Sequence, residues 1–449
     1  MATTTQRHHL HVSPAALDPG PVAAAATWSP DRALVVLLLA FGLLGLTIGS
    51  QAVLWAELMP IFGVSPGLFG SAQLVSPLIS IALLVLGGQL SAWLGKRRMG
   101  LASIAFLGAS ALVLAAGGGL PGLVLALALL GFGNGLFETS MNGAALDWEH
   151  ATGRRILNVL HATFSCGAVA GSLGAGWLLG SGIAASWVLR LSAVACMLVF
   201  ISMLLVRFAP AYDSSTSVGP TASLRLVFSR RALMFLALIC VLGAVGESVA
   251  NLWSVVYLYQ RGGGALLGGA TFALLSGAML IGRLGNVWVV GRFGDRVSLR
   301  ASGAGLVLAA TLLVIPGGLG LAIAGFGVLG LAVAGIVPTV LGAAARVAPG
   351  QTGVVAGAML AAVYLSFTLS PPLIGWVAEL GSLQIALAIV GLGGAATVWL
   401  AQHASRPSSG WGLARMALSE CRPRSPGGPW PARALSAPPS RRPPAGRSR

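Results

Sequence analysis

Residues 131–149 read GFGNGLFETSMNGAALDWE, and part of this stretch returns as GLAVAGIVPTVLGAA at residues 330–344. The two segments share identical residues at a constant spacing of 199 positions, and the same spacing relates Gly176–Trp177 to Gly375–Trp376. The identical positions in the quoted segments are Gly131 and Gly330, Gly143 and Gly342, Ala144 and Ala343, and Ala145 and Ala344. One spacing over distant segments predicts a chain built from two similar halves.

The composition predicts a membrane protein. The chain has 449 residues, of which 56% are hydrophobic and 8% are charged, and its mean hydropathy is +0.87. A soluble domain carries roughly 25% charged residues. Apolar runs long enough to cross a hydrocarbon core of about 30 Å recur along the chain. We therefore expect an all-α membrane protein with about twelve transmembrane helices, at residues 33–58, 67–94, 99–117, 120–145, 157–181, 186–208, 232–258, 265–291, 299–316, 318–344, 351–377 and 381–402.

The longest internal loop between predicted spans divides them into two groups of six. We expect two pseudo-symmetric six-helix bundles, at 33–208 and 232–402, joined by a cytoplasmic middle loop at 209–231. A polar N-terminal tail precedes them at residues 1–32. The segment 403–449 is rich in Pro, Arg and Ser, which predicts a disordered basic tail.

The net charge of +16 is explained by the loops and the C-terminal tail. Cytoplasmic loops of membrane proteins carry an excess of Lys and Arg, so the basic loops predict that both termini are cytoplasmic. We expect a multi-pass protein of the bacterial inner membrane, monomeric in the lipid bilayer, with no nucleic acid as partner. The residues that set this orientation are Lys96, Arg97, Arg98, Arg154, Arg155, Arg225, Arg230, Arg231, Arg292, Arg296, Arg300 and Arg346.

The motifs of enzymes and metal proteins are missing from the sequence. The four cysteines form no CxxC pair, and His8, His9 and His11 lie in the polar tail, where disorder is favoured over metal binding. GFGNG resembles part of a dinucleotide fingerprint, but no strand precedes it. We expect no catalytic residues, no metal and no cofactor, and therefore no enzyme.

Three polar side chains in the fourth span form one stripe. Asn134, Glu138 and Asn142 are spaced i, i+4 and i+8, which places them on one face of a helix. A charged side chain at a helix centre costs about 2.5–3.5 kcal/mol on insertion scales and usually faces a cavity or a partner. We predict that this stripe binds a proton or a solute. The alternative is a protonated Glu138 bonded to a neighbouring helix.

Further candidates lie in the fifth, seventh and eighth spans. His161 can relay protons or bind solute, and it can equally cap or pack. Glu247 and Asn251 lie one turn apart near mid-membrane. Arg283 can pair with a carboxylate such as Glu247, because neither charge is tolerable alone, but the sequence does not establish this contact.

Two further features have a second interpretation. Trp253 and Tyr257 are either interface anchors or rings that stack on a solute, with equal weight. The loop GRFGDRVSLR at 291–300 predicts a conformational latch made of Gly291, Asp295 and Arg296, with Gly291 allowing a tight exit from the helix. Asp295 can cap a helix N-terminus and pair with arginines across its half. In the first half Ala92 is expected at the position of Asp295.

These segments resemble the major facilitator superfamily over about residues 33–402, through the two halves, the long middle loop and GRFGDR. More narrowly, ETSMN followed by LNVLHATFSCGA is similar to the corresponding segment of fucose permease-like sugar:proton symporters. The resemblance implies that Glu138 matches the protonatable glutamate of that branch and Asn142 its polar neighbour.

The expected function is secondary active transport of a small sugar-like or other polar solute, with protons as the coupling ion. A drug or metabolite:proton efflux antiporter of the same fold is the first alternative. GAVAGSLGAG in the fifth span has the glycines of an efflux pattern without its Pro, which disfavours this alternative. A non-transporting membrane sensor of the same fold is the second.

Overall fold

The computed structural model describes residues 29–209 and 220–404, and within them twelve helices are long and apolar enough to span a membrane. We label these helices α1 to α12 in chain order. They are Pro30–Phe62, Pro66–Leu94, Lys96–Ala116, Gly119–Thr152, Leu157–Gly180, Ala185–Leu204, Arg231–Gln260, Ala265–Phe293, Asp295–Val314, Leu319–Val347, Thr352–Leu380 and Leu383–His403. The predicted fold class is confirmed, since all twelve predicted spans coincide with one of these helices.

The largest difference in length is in α4, which was predicted to end at residue 145 and continues to Thr152. Hydropathy failed here because the last two turns carry Asp147, Trp148 and Glu149. The structure gives these side chains partners. Lys96 Nζ lies 2.5 Å from Asp147 Oδ2, and Trp148 Nε1 donates to the Pro30 carbonyl at 2.8 Å. A polar turn can therefore extend an apolar helix.

The predicted middle loop contains a short helix at Pro220–Ser229, and residues 210–219 lie outside the described part. Of the two predicted tails, residues 1–28 and 405–449 also lie outside it. Three spans are interrupted: α2 between Ala72 and Val75, α10 between Val333 and Ile336, and α12 between Ala386 and Ala388.

Successive spans run in alternating directions, so their connections lie at two ends of the molecule. These two ends differ in charge. The end that carries the loops after α2, α4, α8 and α10 and the segment after α6 is basic, and we call it the basic end. The other end carries the loops after α1, α3, α5, α7, α9 and α11, and we call it the opposite end. It has little charge.

We use the word bundle for each of the two groups of six helices that follow one another in the chain, α1–α6 and α7–α12. Helices within each group pack through glycines. A Cβ at Gly45 would collide with the Phe164 carbonyl, which brings the backbones of α1 and α5 together. A Cβ at Gly303 would lie 2.7 Å from the Gly394 carbonyl, which does the same for α9 and α12. Small residues of this kind allow the close van der Waals packing on which helix association in a membrane depends.

The two bundles meet closely at the opposite end. A Cβ at Gly375 of α11 would collide with the Pro66 carbonyl of α2, and one at Gly176 of α5 would lie 2.7 Å from the Ala265 carbonyl of α8. The spacing of 199 residues relates Gly176 to Gly375 and Pro66 to Ala265. The sequence repeat is therefore also a repeat of the interface between the bundles.

An aromatic cluster lies beside these contacts. The ring centroids of Trp55 and Phe69 are 5.4 Å apart, and those of Phe69 and Trp253 are 5.7 Å apart. The three residues come from α1, α2 and α7 and are buried. They seal the space between the bundles towards the opposite end.

Candidate functional site

A cavity of about 500 Å³ lies between the bundles and is lined by helices from both. Its walls are apolar with a few polar groups, as in most small-molecule sites. The charged and amide side chains in the lining are Gln51, Gln73, Asn134, Glu138, Glu247, Asn251 and Arg283. Five of these seven are predicted site residues.

Glu138 enters the cavity from α4 and is held by its own helix. Asn142 Nδ2 donates to Glu138 Oε2 at 2.8 Å and to the Glu138 carbonyl at 3.0 Å. Asn142 itself is outside the lining and so orients the carboxylate from behind. Among the described residues Glu138 has no ion-pair partner, and the polar contact of its carboxyl group is the hydrogen bond from the neutral Asn142 amide.

Glu247 and Arg283 face the same cavity from the other bundle. Arg283 Nη2 of α8 lies 3.7 Å from Glu247 Oε1 of α7, which confirms the predicted pair. The Arg283 side chain is 51% exposed and that of Glu247 is 21% exposed. The guanidinium therefore keeps free donors on the cavity side.

Two amides in the lining have polar atoms that are buried and unpartnered. Neither Gln73 Nε2 of α2 nor Asn134 Oδ1 of α4 has a hydrogen-bond partner among the described residues. Leaving a buried donor or acceptor unsatisfied costs about 1–3 kcal/mol. Both side chains line the cavity, so a rotation of either amide towards it would allow a bond to a polar solute or water.

Sequence reasoning missed Gln51, Gln73 and the aromatic part of the lining. The signal for the two amides was present, since each is an uncharged polar residue inside an apolar span. The aromatic residues gave no signal, because aromatics are frequent in any membrane helix. Those in the lining are Trp55, Phe164, Phe272, Tyr364 and Phe367.

His161 lies outside the cavity lining. It is exposed, and its ring contacts the edge of Phe41 with centroids 5.5 Å apart. Ser165, one turn further along α5, does line the cavity and donates to the His161 carbonyl at 3.1 Å. The predicted polar face of α5 therefore reaches the cavity through Ser165.

Trp253 and Tyr257 are also outside the lining, so the structure supports neither the solute-stacking nor the interface-anchor interpretation. Trp253 is 0% exposed and packs against Phe69. Tyr257 packs against Phe326, and its hydroxyl donates to the Leu313 carbonyl. Both rings lie on faces of α7 that are covered by neighbouring helices.

The predicted latch is corrected at Gly291. This residue makes no tight exit, since α8 continues to Phe293 and the positive φ of 82° belongs to Gly294. Asp295 bonds Arg346 of α10, which agrees with the prediction that it pairs with an arginine across its half. The Nε atom of Arg296 is buried without a partner among the described residues.

The first bundle has an equivalent of this ion pair with reversed charges. Lys96 precedes Asp295 by 199 residues, and Asp147 precedes Arg346 by the same spacing. Lys96 and Asp147 form the ion pair at the end of α4. Lys96, and not Ala92, therefore occupies the position of Asp295. The helices that begin with these two residues, α3 with Lys96 and α9 with Asp295, each follow a glycine of positive φ, Gly95 and Gly294 respectively.

Comparison with known proteins agrees with this architecture. Residues 37–371 match the family model of the Major Facilitator Superfamily. An uncharacterized transporter, y4wD, of Sinorhizobium fredii is 30% identical over 366 residues, which are 78% of this chain and 93% of that protein. Membrane protein MosC of Rhizobium meliloti is 27% identical over 404 residues, or 87% of this chain and 94% of that protein.

Solved structures share the fold at low sequence identity. The nucleoside transporter NupG superposes with a TM-score of 0.70 at 14% identity and covers 87% of this chain and 100% of its own. The fucose:proton symporter FucP of E. coli superposes with a TM-score of 0.54 at 16% identity, covering 84% and 100%.

Proposed function

Since the chain belongs to the Major Facilitator Superfamily, we propose that it transports a small polar solute by alternating access and couples this movement to protons. The central cavity is the binding site in this proposal. The basic end faces the cytoplasm, with both termini on that side, and the membrane is the bacterial inner membrane.

The observation that carries the proposal is the placement of Glu138. It is a carboxylate in the cavity between the bundles, bonded to a neutral amide and without an ion pair among the described residues. A carboxylate in a cavity of low dielectric can hold and release a proton near neutral pH. Glu138 is therefore the proton carrier, and the Glu247–Arg283 pair is the charged group that faces it.

The conformation supports alternating access. The close contacts between the bundles described above and the aromatic cluster lie at the opposite end, while Arg283 in the cavity is half exposed. The cavity is therefore open towards the basic end. Under the proposed orientation this is the state that exchanges solute with the cytoplasm.

The lining favours an uncharged solute with several hydrogen-bonding groups. Amides such as Gln73 and Asn134 both donate and accept, which matches hydroxyl groups. Trp55, Phe164 and Phe272 offer apolar ring surface beside them. NupG is a nucleoside transporter and FucP a fucose:proton symporter, and both names agree with a solute of this kind.

The test starts with a thermal-shift screen of sugars, nucleosides and small metabolites on the purified protein. A compound that stabilises the protein is then offered to proteoliposomes in which an imposed pH gradient drives protons in the direction of uptake. We expect accumulation above the external concentration, and a protonophore should abolish it.

Other results would identify a different function. Accumulation that is the same with the protonophore would exclude proton coupling. Export driven by the opposite gradient would establish the antiporter alternative. Binding without any flux, including exchange of labelled for unlabelled solute, would establish the sensor alternative and overturn the transport proposal.

A further inference from the structure

The two contacts between the bundles at the opposite end have the same backbone geometry. In one, a Cβ at Gly70 of α2 would collide with the Pro371 carbonyl of α11. In the other, a Cβ at Gly269 of α8 would collide with the Ser172 carbonyl of α5. The repeat spacing of 199 residues relates Gly70 to Gly269 and Ser172 to Pro371. By backbone alone, the α2–α11 and α5–α8 interfaces are equivalent.

Their polar contacts are different. Glu379 of α11 reaches across to the first turn of α2, where its Oε2 accepts from Ser65 Oγ at 2.6 Å and from Gly67 N at 2.8 Å. Trp376 Nε1 donates to Ser71 Oγ at 2.9 Å in the same interface. A carboxylate at the N-terminus of a helix satisfies free N–H groups and interacts favourably with the helix dipole.

Gly67 allows this contact, because a Cβ at this position would collide with the Glu379 carboxylate. Ser65 is also the N-cap of α2, with its side chain accepting from Leu68 N at 3.3 Å. The start of α2 is thus capped twice, once by its own chain and once by the other bundle.

The α5–α8 interface keeps the tryptophan, as Trp177, but lacks the other side chains that make these bonds. The repeat places Gly180 at the position of Glu379, Gly264 at that of Ser65 and Ala270 at that of Ser71. One of two symmetric interfaces therefore carries a charge-assisted contact that the other lacks.

We propose that Glu379 is a gating residue that stabilises the state closed at the opposite end. Opening the cavity to that side separates α2 from α11 and breaks both hydrogen bonds of the carboxylate. The α2–α11 contact then opens less readily than α5–α8. This inference rests on the alternating-access function proposed above and adds to it the group that resists outward opening.

The test measures the labelling of a cavity cysteine from the side that the opposite end faces. Ser276 lines the cavity on α8, so Ser276→Cys is the reporter, in a Cys166→Ser background because Cys166 is exposed. A membrane-impermeant maleimide is applied to intact cells. Ser181→Cys, in the exposed loop after α5, is labelled at once if the opposite end faces outwards.

We expect Glu379→Gln, which keeps an acceptor oxygen but removes the charge at the start of α2, to increase the labelling rate of the reporter roughly three-fold, the size of effect expected for one charge at a helix terminus. Asp31→Asn makes the same chemical change on an exposed residue at the basic end and should leave the rate unchanged. A Glu379→Gln rate equal to that of the parent would overturn the inference. Because labelling needs no solute, that result would leave the transport proposal standing.

The repeat supplies a variant with the opposite effect. A Cβ at Gly180 would lie 3.7 Å from Leu266 N, the counterpart of Gly67 N. Because Leu266 stands where α2 has Gly67, the variant combines Gly180→Glu and Gly264→Ser with Leu266→Gly, and so introduces the same carboxylate and hydroxyl at α5–α8 with the space that they need. Slower labelling than in the parent is expected, and faster labelling would contradict the inference.

Discussion

Glu138 shows how far a single residue in an apolar helix can be understood from sequence. Its position was predictable, because a charge in a membrane span is expensive and needs a cavity or a partner. The structure provides the cavity, with Asn142 as the hydrogen-bond donor. The two glutamines were missed because an uncharged amide costs less and stands out less in a hydrophobicity profile. His161 lies outside the lining, since its spacing on α5 fixes a direction and not a distance to the cavity, and its role stays a prediction.

The Glu247–Arg283 pair leads to a prediction at this scale. Glu247→Gln and Arg283→Gln should each lower the thermal stability, because each leaves the other charge without its partner. The double variant should recover part of the loss, with a coupling energy of about 1 kcal/mol. That value is modest because the guanidinium is half exposed. Unfolding of the four proteins in detergent measures the cycle. If the losses of stability in the two single variants simply add in the double variant, the 3.7 Å contact between Arg283 and Glu247 contributes nothing to stability.

At the scale of the helix, the spans were predictable and their ends were not. Hydropathy located all twelve helices, but it could not foresee that α4 runs on through Asp147, since the Lys96 that neutralises this residue lies on another helix. The same limitation explains the error at Gly291. Sequence shows several glycines near the end of α8, and only the backbone shows that Gly294 has the positive φ.

The reversed ion pairs can be tested by exchange. Asp295→Lys should lower stability by about 1–2 kcal/mol, because it places two cations together where Arg346 is half exposed. Adding Arg346→Asp should restore most of the loss, since it recreates the polarity of Lys96 and Asp147 in the other bundle. Thermal unfolding of the single and double variants measures this. No recovery in the double variant would mean that the two sites are not equivalent.

For the whole molecule, the repeat was the most informative signal in the sequence. The spacing of 199 residues predicted two similar halves. In the structure the same spacing relates the two ion pairs to each other and the two interfaces between the bundles to each other. Sequence could not predict which end of the cavity is open, because the two states of the proposed alternating access share the same helices. Nor could it show the asymmetry at Glu379, which depends on a contact between residues more than 300 positions apart.

The most direct measurement of the central claim counts protons together with solute. Proteoliposomes in a weakly buffered medium receive the solute found in the screen, and an external pH electrode follows proton uptake. We predict that the medium becomes more alkaline with the unmodified protein and with Asp31→Asn. With Glu138→Gln the pH should stay constant although labelled solute still exchanges. Proton uptake by Glu138→Gln at the normal ratio to solute would contradict the assignment of Glu138 as the proton carrier.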